Sequence, residues 1–122
     1  MTSDQNDSEK TISFFKKEVN EFVQERNWLN YHTPNNLAQA LSVEAGELLE
    51  IFLFKDYSVN DILKDQILKE KISDEIADVF IYLISLINSL KMDLTHIFQL
   101  KMNKNRQKYS SQEFNDGSFY KK

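Results

Sequence analysis

Apolar residues recur at intervals of three and four along most of the chain, which is the period of an amphipathic α-helix. The first run predicts a helix over about Glu9–Asn27, closed by Trp28. Its apolar positions are Ile12, Phe15, Val19, Phe22 and Val23. A second helix is predicted from Pro34 to about Lys55, because Thr33 offers a capping hydroxyl and proline suits the first helical position.

The second half of the chain contains the signals of three further helices. Ser58 followed by Asp61 resembles a capping box and predicts a short third helix. The fourth helix, over about residues 69–90, is the longest and is apolar almost all round, and Asp93 caps a last helix that ends near Tyr109. We therefore predict an all-α, antiparallel four- to five-helix bundle that oligomerises through its helices.

Composition supports this architecture and limits the partners. A chain of 122 residues is the size of one domain, and two glycines with one proline leave few turn signals. We expect a disordered arm over residues 1–8, the domain over residues 9–109 and a tail over residues 110–122. A net charge of -4 disfavours nucleic acid polymers and membranes as partners. The lack of cysteine and of a signal-peptide pattern favours a cytoplasmic location.

Two pairs of carboxylates with three-residue spacing stand on the second and fourth helices. Glu44 falls in the middle of the apolar arc of the second helix, and Glu47 lies about 60° to its side. The narrow polar strip of the fourth helix holds Glu75, Asp78, Tyr82 and Ser85. If the helices pack antiparallel, the four acids converge, and two unit charges about 4 Å apart repel by about 4 kcal/mol at an effective dielectric constant of about 20. We therefore expect a bound cation.

The type of cation follows from the ligand atoms. All of them are oxygens, and hard carboxylates select Mg²⁺, or Mn²⁺, over zinc. A di-iron carboxylate site would need Glu-x-x-His pairs. The nearest match is Asp93-x-x-His96, in which Asp93 is better used as a helix cap. An alternative hypothesis is non-catalytic: a helical oligomerisation module with acids on its surface.

The acids lie within longer blocks that resemble the MazG-like, all-α nucleotide pyrophosphohydrolases, and in particular their short dCTP pyrophosphatase branch. The blocks are FVQERNW, YHTPNNLAQALSVEAGELLEIF, DEIADVFIYL and KMNKNRQKY, and they extend over about Phe14–Tyr109. The resemblance implies hydrolysis of a nucleoside triphosphate, dCTP or a related deoxynucleotide, to the monophosphate and pyrophosphate. A sibling enzyme for another base, dUTPase-like or acting on phosphoribosyl-ATP, shares the acidic motif and stays open.

The same resemblance implies roles for individual residues. The positions that match the family's magnesium ligands are Glu44, Glu47, Glu75 and Asp78, and we favour Glu47 as the general base. The implied substrate-binding residues are Trp28, His32, Asn36, Tyr82, Lys101, Asn105 and Arg106. The two aromatic residues are expected at the base and sugar, and the three on the last helix at the phosphates or sugar. Ordinary roles in the core, in the loop or at a helix C-terminus are the alternative.

Two positions depart from the dCTP pyrophosphatase branch. Phe54 stands where the branch has a tryptophan, and Val19 where it has a histidine. Both lie near the implied base pocket, so the departures concern the preference for cytosine and leave the phosphate chemistry untouched. The resemblance also implies sites built between protomers, so we expect at least a dimer and favour a tetramer.

Overall fold

Every regular element is helical in the structure, a computed structural model that describes residues 5–118. The elements are α1 (Ile12–Glu25), a 3₁₀ turn (Leu29–Tyr31), α2 (Pro34–Phe52), α3 (Val59–Leu63), α4 (Gln66–Leu90) and α5 (Leu94–Lys108). The predicted all-α fold is thereby confirmed over this range. The expected arm and tail lie partly outside the described residues. None of the helices described here has the length and apolar character needed to cross a membrane.

Side-chain caps fix where the predicted helices begin. Thr33 Oγ1 accepts a hydrogen bond from the backbone N–H three residues later at 3.2 Å, and Asp93 Oδ1 does the same at 2.8 Å. Ser58 and Asp61 form the reciprocal capping box, with bonds of 3.0 and 2.9 Å. Such caps satisfy N–H groups that have no partner within the helix. Starts at Pro34, Val59 and Leu94 follow from these local bonds.

Other helix boundaries differ from the predicted ones by two or three residues. α1 begins only after Thr11, whose Oγ1 accepts from Phe14 N at 3.2 Å, and the left-handed φ of 57° at Asn27 lies just beyond its end. α4 begins at Gln66 because Asp65 caps it. The same cap separates α4 from α3. The 3₁₀ turn was not predicted, since three residues carry too little periodicity to be recognised.

The chain divides into two compact units, Met1–Lys91 with α1 to α4 and Met92–Lys122 with α5. In the first unit α4 is central and packs against α1, α2 and α3. The buried apolar side chains are Val23, Leu37, Ile72, Ile84 and Ile87. Burial of each such side chain contributes about 1.5–3 kcal/mol. In the second unit the ring of Tyr109 contacts that of Phe114 edge-on, with 5.3 Å between centroids.

The direction of α2 relative to α4 decides which acids meet. Glu44 groups with Asp78, whereas Glu47 and Ile51, farther along α2, share a groove with Lys71, which is earlier on α4. The two helices are therefore antiparallel. This direction brings the carboxylate pair of each helix to the same level.

Contacts between α1 and α4 hold the other side of the first unit together. The rings of Phe15 and Phe80 meet edge-on at 5.2 Å, a favourable geometry for aromatic pairs. Near the end of α4, Asn88 Nδ2 donates to the backbone oxygen of Lys16 at 3.0 Å. α4 thus carries the acids toward α2 and part of an aromatic cluster toward α1.

Candidate functional site

Three carboxylates converge where α2 faces α4. Glu44, Glu75 and Asp78 each offer one oxygen, and these oxygens lie within 4.8 Å of one another. All three residues are half-buried. Glu44 Oε2 and Glu75 Oε2 are fully buried, and neither meets a hydrogen-bond donor within the described part of the chain. Buried carboxylate oxygens without donors are costly, so the group fits a cation that prefers oxygen ligands.

The pKa values of the clustered carboxyl groups also favour a cation at this site. Burial, followed by the neighbouring carboxylate of Glu47, raises the pKa of Glu44 from 4.5 to about 7, and Glu75 and Asp78 add to the effect. Burial also raises the pKa of Glu75, against an opposing contribution from Glu44. Crowded acids that resist ionisation are typical of sites where a positive charge completes the arrangement.

Glu47, the fourth predicted ligand, lies at the margin of the group. It is exposed and outside the set of three oxygens. Together with Glu50, Ile51, Lys71 and Glu75 it lines a groove of about 390 Å³. Lys71 had escaped the sequence interpretation, although its position four residues before Glu75 is the spacing of neighbours on a helix surface. The groove therefore has one positive side chain beside its acids.

An aromatic cavity of about 380 Å³ lies between α1, α4 and the segment that follows α1. Its aromatic walls are Phe15, Phe22, Trp28, Phe80 and Tyr82, and its polar residues are Glu18, His32 and Ser85. The indole of Trp28 meets the ring of Phe22 at 5.8 Å. Apolar walls with a few polar groups are typical of small-ligand sites, and flat aromatic faces suit a planar base.

The structure brings three of the predicted substrate-binding residues together. Trp28, His32 and Tyr82 all line the aromatic cavity. Asn36 is exposed and has a local role: its Nδ2 donates to the backbone oxygen of Tyr31 at 3.0 Å, which ties the 3₁₀ turn to the start of α2. This bond corresponds to the loop-ordering alternative for Asn36. It leaves the predicted substrate contact untested.

The two departures from the dCTP pyrophosphatase branch fall in different places. Val19 lines the aromatic cavity, so its replacement of a histidine changes the polarity of that wall. Phe54 is not among the lining residues; its side chain is 100 % exposed, and its φ of 58° lies in the left-handed region. A bulky residue in that region is uncommon, and here it lies in the turn that follows α2.

Lys101, Asn105 and Arg106 lie on α5, in the second unit. Lys101 and Arg106 are exposed and Asn105 is half-buried. Arg106 Nη1 donates to Asn103 Oδ1 at 3.3 Å. Arg106 is also in the last turn of the helix, where a cation is favoured by the helix dipole.

Comparison with known proteins identifies relatives. The chain is 34% identical over 103 residues to dCTP pyrophosphatase 1 of Bos taurus, which covers 84% of this chain and 61% of the relative. The human dCTP pyrophosphatase 1 is 34% identical over 102 residues, with 83% and 60% covered. The chain thus spans about three fifths of the length of these curated relatives. A crystal structure of a pyrophosphatase from Archaeoglobus fulgidus is similar, with a TM-score of 0.69, 39% identity, and 77% of this chain and 87% of that chain covered.

The model of the MazG-like family matches residues 40–119. This range is well over half of the chain and includes Glu44, Glu75 and Asp78, the three acids that the structure brings together. The match agrees with the resemblance found in the sequence blocks. The chain therefore belongs to the MazG-like family.

Proposed function

We propose that this protein is a Mg²⁺-dependent pyrophosphohydrolase that converts dCTP, or a related deoxynucleoside triphosphate, to the monophosphate and pyrophosphate. One observation carries the proposal: Glu44, Glu75 and Asp78 converge, and two of their buried oxygens have no donor among residues 5–118. The relatives named dCTP pyrophosphatase 1 support the choice of bond and base.

The residues that would hold Mg²⁺, with Mn²⁺ as second choice, are Glu44, Glu75 and Asp78, with Glu47 beside them. A bound ion of this kind neutralises phosphate oxygens and lowers the pKa of a water ligand. The protein contributes by holding the carboxylates close together before the ion binds. Because the pKa of Glu44 is raised to about 7, its carboxyl group is partly protonated near neutral pH and must release that proton to become a ligand.

Glu47 is the proposed general base. Its carboxylate is exposed at the edge of the cluster, so water reaches it, and it is close enough to raise the pKa of Glu44. It accepts a proton from the water whose oxygen forms the new bond to phosphorus. The bond between that phosphorus and the bridging oxygen breaks, and the bridging oxygen leaves with its electron pair.

The aromatic cavity is the proposed place of the base. Trp28 and Tyr82 offer ring faces for stacking, which contributes about 1–3 kcal/mol per base, and His32 offers a polar contact. Asn36 is proposed near the nucleotide. On the family resemblance alone, Lys101, Asn105 and Arg106 are proposed as contacts to the phosphates or sugar, since cations and amides suit phosphate oxygens.

Self-association, as a dimer or tetramer, is part of the proposal, as is a cytoplasmic location. Large apolar side chains of the first unit face outward: Phe54 is 100 % exposed, Ile67 74% and Val59 72%. Burial of these side chains against a second copy would remove apolar surface from water, which favours association. Light scattering that finds a stable monomer at micromolar concentration would contradict this part.

The test is a panel of the common ribo- and deoxyribonucleoside triphosphates with Mg²⁺, in which pyrophosphate release is followed and the nucleotide product is identified. We expect dCTP to be among the best substrates and dCMP with pyrophosphate to be its products. Release of inorganic phosphate with a diphosphate product would contradict the choice of bond. A better rate with dUTP or phosphoribosyl-ATP would favour a sibling activity, and turnover of no nucleotide would favour the non-catalytic module.

A further inference from the structure

Ser85 is the buried polar residue of the aromatic cavity. It lies on α4, its relative exposure is 5%, and its side chain lines the cavity beside Ile81 and Tyr82. Its hydroxyl is a small polar group in a wall that is otherwise mainly apolar. A helical serine can bond the carbonyl oxygen four residues earlier, and its hydroxyl can still pair with a second polar group. A polar group of a ligand in the cavity would be that second partner.

The position of Ser85 along α4 fits such a ligand. Asp78, Tyr82 and Ser85 are four and three residues apart and so lie on one face of the helix. Seven residues span roughly 10.5 Å along the axis, which is comparable to the length of a nucleoside monophosphate. One face of α4 thus presents the carboxylate of Asp78 near the phosphate end of a bound nucleotide, the ring of Tyr82 in the middle, and the hydroxyl of Ser85 near the base end.

We propose that Ser85 is a substrate-binding residue whose Oγ hydrogen-bonds the edge of a pyrimidine held in the aromatic cavity. This inference rests on the proposed function. A serine hydroxyl rotates and both donates and accepts, so it pairs with the amino group of cytosine as well as with the oxo group of uracil. Ser85 therefore contributes to the binding of either pyrimidine and does not separate dCTP from dUTP.

The first test compares Ser85→Ala with Ser89→Ala. Ser89 is the matched control because it lies one turn later on α4 and lines a neighbouring cavity that Ser85 also borders, but does not line the aromatic one. We expect Ser85→Ala to lower kcat/KM for dCTP and dUTP by the same factor of about 3 to 10, mainly through KM. Ser89→Ala should stay within about twofold of the wild type for both, since it loses no substrate contact.

The second test measures base binding without turnover. Trp28 is the one tryptophan of the chain and lines the cavity, so its fluorescence reports occupancy. We expect dCMP and dUMP to change the emission of the wild type, deoxyribose 5-phosphate to leave it unchanged, and Ser85→Ala to bind both nucleotides about 3 to 10 times more weakly. If Ser85→Ala does not fold, Ser85→Cys, with similar volume and a weaker donor, should weaken binding in the same direction.

The outcomes separate the two proposals. Unchanged dCMP affinity and unchanged kcat/KM in Ser85→Ala overturn the role of Ser85 while hydrolysis stands. If Ser85→Ala loses affinity for only one of dCMP and dUMP, the proposal that Ser85 binds both bases is overturned. A third outcome is that the wild type hydrolyses no nucleoside triphosphate but Ser85→Ala still binds dCMP more weakly than the wild type does. That result supports the role of Ser85 and refutes the proposed activity. Failure of the wild type to bind either nucleotide overturns the Ser85 proposal.

Discussion

Glu44 on α2 and Glu75 on α4 each bury one carboxylate oxygen, and neither oxygen finds a hydrogen-bond donor among residues 5–118. Two acids brought together in this way oppose folding when no cation is bound, because each disfavours the charged form of the other. The packing of α2 on α4 holds them there. A bound cation would offset this cost, and the relationship would then link stability to the proposed function.

Glu44→Gln should remove activity and stabilise the metal-free protein. Glutamine keeps the size of the side chain but loses the charge that is disfavoured here. We expect hydrolysis to fall by at least about 100-fold, since even indirect metal partners are worth about 10- to 100-fold. In EDTA at pH 8 the melting temperature should rise by about 4 °C, or about 1 kcal/mol for a domain of this size.

Asp74→Asn is the control for that substitution. Asp74 is an exposed acid next to Glu75 in the sequence but outside the group of three. It should leave both hydrolysis and the melting temperature close to wild type. In Glu44→Gln, addition of Mg²⁺ should no longer raise the melting temperature, whereas it should do so in the wild type and in Asp74→Asn. An equal effect of the two substitutions would count against a site at Glu44.

The stability of the metal-free protein should fall as the pH rises from about 4.5 to about 7. The pKa of Glu44 is raised from 4.5 to about 7 in the folded state, and that of Glu75 is raised too. Between these values the native state binds more protons than the unfolded state, so the free energy of unfolding decreases with pH. Urea unfolding in EDTA at several pH values measures the slope.

The same experiment with Glu44→Gln isolates the contribution of this residue. Without the raised pKa of Glu44, the slope between pH 4.5 and 7 should become shallower. Well above pH 7, from about pH 8, the two proteins should run parallel, because the carboxyl group of Glu44 is then ionised in both states of the wild type. Identical slopes in both proteins would show that Glu44 titrates as an ordinary carboxylate.

Metal binding should release protons at neutral pH. Mg²⁺ requires the ionised form of Glu44, whose pKa is raised to about 7, so binding must displace the proton that part of the molecules carry. Calorimetric titration at pH 7 in two buffers of different ionisation enthalpy should give different apparent enthalpies. At pH 8.5 the difference should shrink. Mg²⁺ affinity that does not weaken from pH 8 to pH 6 would contradict this linkage.

Glu47→Gln should lower kcat far more than it lowers metal affinity. Glu47 is exposed and outside the group of three oxygens, so a role in proton transfer predicts a loss in kcat of about 10²- to 10⁴-fold. Steady-state kinetics give kcat, and titration of Glu47→Gln and Glu44→Gln with Mg²⁺ gives the metal affinity of each variant. Affinity reduced as strongly as in Glu44→Gln would instead make Glu47 a direct ligand.

Trp28→Ala should weaken substrate binding, whereas Trp28→Phe should retain much of it. Trp28 is 44% exposed and lines the aromatic cavity, where we propose that its ring stacks on the base. Loss of one stacking partner costs about 1–3 kcal/mol, which corresponds to an increase in KM of roughly 5- to 150-fold. Steady-state kinetics with dCTP measure it. An unchanged KM in Trp28→Ala would place the base elsewhere.

Helix positions were readable in the sequence wherever a cap and a periodic apolar run coincide. Thr33, Ser58 and Asp93 each bond to a backbone N–H three residues away, so the bonds that begin those helices involve only near neighbours. Asp65 was missed, although its Oδ1 caps α4 in the same way by accepting from Leu68 N. The prediction that Glu44 faces inward followed from periodicity alone.

What the sequence by itself determined is therefore local: the all-α class, most helix starts, and the face on which each acid lies. Only the tertiary structure decided that Glu75 and Asp78 meet Glu44 while Glu47 stays at the margin, and that Ser85 lines an aromatic cavity. Caps and periodicity act over three or four residues, which the order of amino acids specifies directly. The distance between residues some 30 positions apart, and the burial that raises the pKa of Glu44, exist only once α2 packs against α4.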